Sequence, residues 1–368
     1  MSEKINKFEL SRRQFISAVG MGTAGLLLSK CKNSSEPTPE PPITGPTDAD
    51  VAVAAVNSYD RAAIKKAVQD SFEALGGISD IVKSGDTVGI KINLTGGATA
   101  YLGRIPADPY ELYLTHPEVV RAVGELVKDA GASQVYVLEA AYDNGDWNYT
   151  DPHSGLSHGA VANYLGNAPI NLNYTNPYDD YVVLTVDNHF IYPTLTFNGI
   201  LDELDCFISL PKAKNHYGAA VTHGMKNLVG TLPVPSGLYN AGQGHRAAIH
   251  SHTVIDGDND NNLVRVILDI NTARPIHLVV NDAIMTTLSG EGPWNTRNYT
   301  QSKFNKIIVS KDVVAGDTIA TKQILNKDPN ADTLPDPAGG NTLNYLKVAA
   351  NQKGMGVNDL TKINVINV

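Results

Sequence analysis

Three stretches carry the reading of the fold: Thr87-Val88-Gly89-Ile90-Lys91-Ile92-Asn93, Thr115-His116-Pro117-Glu118-Val119-Val120-Arg121-Ala122-Val123, and Gln134-Val135-Tyr136-Val137-Leu138-Glu139. The first and third are short runs rich in β-branched residues and read as strands. Between them Val119, Val120, Val123, Leu126, Val127 and Ala130 fall on one helical face. Thr115 is the expected N-cap, with Glu118 three residues on and Pro117 in the first turn, where a missing N–H costs least. Gly131 closes the helix as a C′ residue. Strand, crossover helix and strand make a parallel pair.

Outward from this unit, Cys206 to Leu210, Ile276 to Asn281 and Lys306 to Val309 read as further strands of the same kind, and Arg61 to Leu75 as an amphipathic helix. Tyr-, Asn- and Asp-rich segments over 143–202 and 233–262 are expected as loops or small antiparallel additions, with a sugar-contacting groove as their functional reading. The expected fold is α/β: a mainly parallel sheet flanked by helices, in a single domain over 51–368. In open parallel sheets ligands sit outside the carboxyl ends of the strands. Here those ends carry Lys91, Asn93, Glu139, Pro211-Lys212 and Asn281-Asp282.

The chain has 368 residues, 42% hydrophobic and 18% charged, which excludes a disordered chain. Its net charge of −9 excludes a nucleic-acid partner bound through phosphate counterion release. Two cysteines, Cys31 and Cys206, exclude a disulfide scaffold and a zinc finger, so any metal rests on His, Asp and Glu.

Ser11-Arg12-Arg13-Gln14-Phe15-Ile16, followed by an apolar run to Leu28 too short to span a bilayer, resembles a twin-arginine export signal. Leu28-Ser29-Lys30-Cys31 resembles a lipobox, departing from it at Lys30, with Cys31 as the lipidated residue. The expectation is a signal over 1–31, a Pro-, Ser- and Glu-rich tether over 32–50, and an exported protein, periplasmic or outer-membrane-associated through the lipid anchor. The signal holds five basic and two acidic side chains, so the body beyond it carries −12. Cys206 is expected in the core.

Against that acidity stands a basic knot: Pro211-Lys212-Ala213-Lys214-Asn215-His216, then His223-Gly224-Met225-Lys226-Asn227. Compact ammonium groups at a strand end suit a phosphate, carboxylate or enolate. His216, Lys212, Lys226 and Asp282 are the candidate catalytic residues; Lys91, Asn93, Lys214 and Asn227 are the candidate ligand-binding ones. His216, His223, Glu139 and Asp282 are the candidate donors for a divalent metal. A second group, His245, His250, His252 and Asp256 to Asp260, has a metal-like His spacing but lacks the Gly and Glu of a calcium loop. No P-loop, HExxH or GxSxG is present.

Pro211-Lys212-x-Lys214-x-His216 with Lys226-Asn227-Leu228-x-Gly230 resembles the central signature of the family called domain of unknown function 362. Lys91-x-Asn93-Leu94, Thr115 to Val123, Asn281-Asp282-Ala283-Ile284 with Gly290-Glu291-Gly292-Pro293, Asp317 and Gly354-Met355-Gly356 extend the resemblance over roughly 52–368. The resemblance implies a bacterial α/β domain, sometimes found beside iron–sulfur modules, and no settled activity. With two cysteines, no iron–sulfur cluster is expected in this chain. The functional expectation is an enzyme or enzyme-like domain binding a small anionic ligand. The alternatives are a noncatalytic envelope protein that binds glycan or a protein partner, and a redox accessory without its own cluster.

Overall fold

The computed structural model describes residues 45–98, 107–141, 143–173, 181–233, 262–292, 301–337 and 339–368. Fourteen strands run in chain order among them: β1 Ala49–Ala55, β2 Thr87–Lys91, β3 Gln134–Glu139, β4 Ile170–Asn171, β5 Tyr181–Thr185, β6 Thr194–Asn198, β7 Cys206–Ser209, β8 Lys214–His216, β9 Ala220–Thr222, β10 Leu278–Thr287, β11 Gln301–Ser310, β12 Thr333–Pro335, β13 Asn341–Leu343 and β14 Ile363–Asn367. Eight form the main sheet, in the order β14-β1-β11-β10-β7-β2-β3-β4. The other six pair as three small antiparallel hairpins. The principal helices are α1 Arg61–Ala74, α2 Pro117–Asp129, α3 Asn262–Ala273, α4 Val313–Gln323 and α5 Tyr345–Lys353.

Strand periodicity of two builds the layers. Ala52 and Ala54, Val135 and Val137, Leu278 and Val280, and Ile307 and Val309 face a core shared with Ile64, Val68 and Phe72 of α1 and Val119, Val120 and Val123 of α2. The alternate residues point the other way. Leu138, Phe207 and Val279 join α3 and α5, and Val51, Val53 and Ile308 join Ala315 and Ile319 of α4. The sheet is therefore covered on both faces, each fully buried Val or Ile contributing about 1.5–3 kcal/mol.

The strand–helix–strand unit stands as the sequence predicts, with β2 and β3 parallel from Thr87 opposite Gln134 to Lys91 opposite Leu138. β7 and β10 continue the parallel set. Three details differ. β11 runs antiparallel to both β10 and β1; its connection from β10 has no crossover helix among its described residues, and a parallel return needs one. β1 begins at Ala49, inside the span read as tether, and β14, at the edge of the sheet, was not expected; Asn364 and Asn367 interrupt its apolar residues, which weakens the signal. The N-cap of α2 is His116, whose Nδ1 accepts the Glu118 N–H, while Gly131 does take the left-handed φ of +110° expected of it. Thr115 is occupied elsewhere. Cys206 is buried in β7, where burial pushes its thiol up to about 12. The export signal, Cys31, the tether up to residue 44, and the His245 to Asp260 group lie outside the described residues.

Candidate functional site

The carboxyl ends of β2, β3 and β7 converge, and β10 passes beside them. Lys91 is the last residue of β2, and its ammonium lies 2.9 Å from Glu139 at the end of β3. Glu139 also accepts the backbone N–H groups of Leu94 and Ala140. Next to this pair the Asn227 Oδ1 accepts from Lys91 at 3.5 Å and Asn93 at 3.2 Å, while its Nδ2 donates to Lys91 O and Ser209 Oγ. Asn93 turns its own Oδ1 to the Lys214 amine at 3.1 Å. Gly230 closes the floor: a Cβ there would run into Glu139 Oε1 and Lys91 Nζ, which accounts for glycine in the Lys226-Asn227-Leu228-x-Gly230 signature.

A second half adjoins it. Lys212 follows β7, bridges to Asp282 of β10, and donates to Asp282 Oδ2 at 2.7 Å and Tyr59 Oη at 2.8 Å. Tyr59 in turn donates to Asp282 Oδ1 at 3.0 Å. The His116 N–H supplies another bond to Asp282, and the His116 ring stacks on Tyr59 at 3.7 Å with the planes 6° apart. Its Nδ1 accepts the Glu118 N–H, which leaves the proton on Nε2, 3.7 Å from Asp151. Thr115 stitches the halves together by accepting from the Asn93 N–H and donating to the Leu210 carbonyl. That role explains why it does not cap α2.

The electrostatics separate the lysines. Lys91 and Lys212 each face a carboxylate within 3 Å and are fully buried. Burial pulls Lys212 below the ordinary lysine range, and Asp282 opposes that pull. Lys214 is also fully buried, but its two hydrogen bonds go to neutral oxygens, Asn93 Oδ1 and the Tyr113 carbonyl. Burial holds it well below the lysine range; the Glu291 and Glu139 charges oppose that pull from beyond hydrogen-bond range, while the like charges of Lys226 and Lys212 add to it. Burial raises the Tyr59 phenol well above its usual value, and the Asp282 charge adds to this.

Lys91, Asn93, Lys212, Lys214, Asn227, Asp282 and Glu139 thus come together, with Lys226 buried close enough to act on Lys214. The four candidate metal donors do not assemble. Glu139 is taken by Lys91, Asp282 by Lys212, and His216 lies 3.2 Å from Glu291. His223 is fully buried and pushed down to about 3 by desolvation, so it is neutral. Among the described residues no three His, Cys, Asp or Glu side chains are grouped to hold a metal ion. Sequence reasoning missed Tyr59, His116 and Asp151. Tyr59 precedes the Asp60 N-cap of α1 and carries no pattern of its own, whereas His116 was visible only as part of a helix start.

Fold and site together define an α/β protein with a buried lysine–carboxylate network at its parallel-strand ends. The chain belongs to the family Domain of unknown function (DUF362), whose model matches residues 88–322. It is 28% identical over 296 residues, 80% of this chain and 79% of the other, to a Synechocystis sp. protein named Thylakoid-associated protein sll1697. Among solved structures, the lactate racemase apoprotein from Thermoanaerobacterium thermosaccharolyticum aligns at 15% identity and a TM-score of 0.38 over 68% of this chain. The alignment covers 54% of that chain, so this protein spans about half its length.

Proposed function

We propose that the lysine network binds a small carboxylate or phosphate and that the chain is an enzyme or enzyme-like domain acting on it. The observation that carries the reading is Lys214, a fully buried amine whose bonds go to neutral oxygens beside two lysines already matched by carboxylates. An anion set directly against Lys214 adds to the more distant Glu291 charge and raises its pKa, so the amine takes up a proton as the anion binds. Lys212, Tyr59 and Asp282 form a hydrogen-bonded chain along which a proton can shift, the acid–base element of the site. Asn93 and Asn227 orient the amines, and His116 holds the Tyr59 ring. No step is assigned to a metal, because the expected carboxylate donors Glu139 and Asp282 are engaged with Lys91 and Lys212.

The test is isothermal titration of the full chain with inorganic phosphate and with acetate, in buffers of different ionisation enthalpy near pH 8. Binding should take up a fraction of a proton approaching about one per anion, weaken as pH rises, and lose its proton uptake in Lys214→Met. Absence of binding by both anions, or binding unchanged in Lys214→Met, overturns the proposal.

The ion pairs support a second reading, in which Lys91–Glu139 and Lys212–Asp282 only pin a noncatalytic envelope protein; the same titration would then be silent. For location, we infer twin-arginine export and lipid anchoring at Cys31. The name of the thylakoid-associated relative favours a membrane-proximal setting, and among the described residues no helix is long and apolar enough to cross a membrane. Detergent phase partitioning that is the same for the full chain and for Cys31→Ala rejects the anchor.

A further inference from the structure

A cavity of about 420 Å³ lies away from the lysine network, between the last turns of α3 and α5, and is lined by Asp187, Asn271, Ile276, Val313, Gln352 and Met355 among others. Ile276 precedes β10, whereas Asp282 lies well along it. At about 3.3 Å per residue the two are roughly 20 Å apart, so the cavity opens at the opposite end of the parallel strands. Its volume falls within the usual range for small-molecule sites, about 300–1,000 Å³.

The walls are built rather than incidental. The buried Asp269 carboxylate of α3 accepts the backbone N–H groups of Phe190, Ile191 and Tyr192, tying the β5–β6 turn to the helix. Lys353 bonds to the Asn188 carbonyl from the other side and lies over the Phe190 ring at 4.5 Å. Asn271 is 1% exposed; its Nδ2 donates to Met225 O and Ile267 O, which orients the amide, and its Oδ1 has no hydrogen-bond partner. A buried acceptor held this way calls for a donor, because such groups are paired in the great majority of native structures.

The field has the matching sign. The final carbonyls of two helices lack intrahelical partners and carry partial negative charge, and both α3 and α5 end at this cavity, Asn271 and Thr272 from one and Gln352 and Lys353 from the other. Asp187 adds a full negative charge at the exposed rim. The one cation of the lining, Lys353, is held by Asn188 and Phe190. Pro275, Ile276, Val313 and Met355 supply an apolar wall.

We propose that this cavity binds an aliphatic primary amine, its ammonium donating to Asn271 Oδ1 within the field of Asp187 and the two helix ends, and its alkyl stem lying along Ile276, Val313 and Met355. The proposal is independent of the anion site.

The experiment is titration of the full chain with 1,4-diaminobutane and n-butylamine, with glucose and glycerol as polyol controls, followed by calorimetry and by the methyl resonance of Met355. The amines should bind and shift that resonance, and Asp187→Asn, a rim change that leaves the fold intact, should weaken binding about fivefold. Four results each overturn the proposal: no amine binding at about 20 mM, amine binding without a Met355 shift, affinity unchanged in Asp187→Asn, or binding of the polyols in preference to the amines. Loss of phosphate or acetate binding at the lysine network leaves these readouts untouched.

Discussion

Lys212 and Asp282 offer the sharpest energetic prediction. Both side chains are 0% exposed, and their charged atoms are 2.7 Å apart. At an effective dielectric of about 20 that separation corresponds to about 6 kcal/mol of attraction, set against a desolvation cost of several kcal/mol for each ion. Lys212→Met removes the cation and leaves a buried carboxylate with the Tyr59 hydroxyl, the His116 N–H and, at 3.4 Å, the Ile284 N–H as its neutral donors. Asp282→Asn strands the lysine, which can escape by shedding its proton. From its ordinary 10.5 to pH 7 that costs about 5 kcal/mol, which caps the penalty. Each single variant should therefore lose about 3–5 kcal/mol. The double variant buries neither charge and should lose no more than either single one, a coupling of about 3 kcal/mol. Urea unfolding of the four proteins at pH 7 measures this, provided their m-values agree. Single losses that add to the double within about 0.5 kcal/mol would refute the idea that these residues act as one buried pair.

Two further outcomes follow from the same geometry. Gly230→Ala places a methyl group against Glu139 Oε1 and Lys91 Nζ; a loss of about 1–3 kcal/mol, together with weakened phosphate binding, is expected, and unchanged stability and titration would show that the pair yields without consequence. Asp317 accepts the Gly224 and Met225 N–H groups, yet full burial lifts it from 3.8 to about 7. The native state then binds more protons than the unfolded chain between about pH 4 and pH 7, so stability present below that window is lost as pH rises through it, on the order of 4 kcal/mol. Asp317→Asn should remove this slope; a difference between variant and parent that is constant from pH 4.5 to pH 8 would contradict it.

Legibility of the fold tracked the strength of the local pattern. β2, α2 and β3 were readable because strand and helix periods each repeat over several residues and a turn glycine ends the helix. β1 was not, because four of its seven residues are alanine, which carries little strand signal, although it lies inside the sheet between β14 and β11; β14 was not, because its edge position leaves part of its residues in solvent and polar ones break its apolar run. The direction of β11 was equally hidden, since a strand's own residues do not say which way its neighbour runs. In the site, lysines and asparagines in an acidic chain were conspicuous by composition. Tyr59 and Asp151 were not, being single residues in segments without periodicity.

The layered α/β plan and the clustering of cations behind one buried strand were legible from residue order, because hydrophobic periodicity and residue type are local properties. Which lysine meets which acid was decided only by the tertiary structure. Lys91 and Glu139 are 48 positions apart and Lys212 and Asp282 are 70, and burial sets the protonation of each partner through the low dielectric around it. The same enclosure leaves Lys214 among neutral oxygens and separates His216 and His223 from the carboxylates they were expected to join.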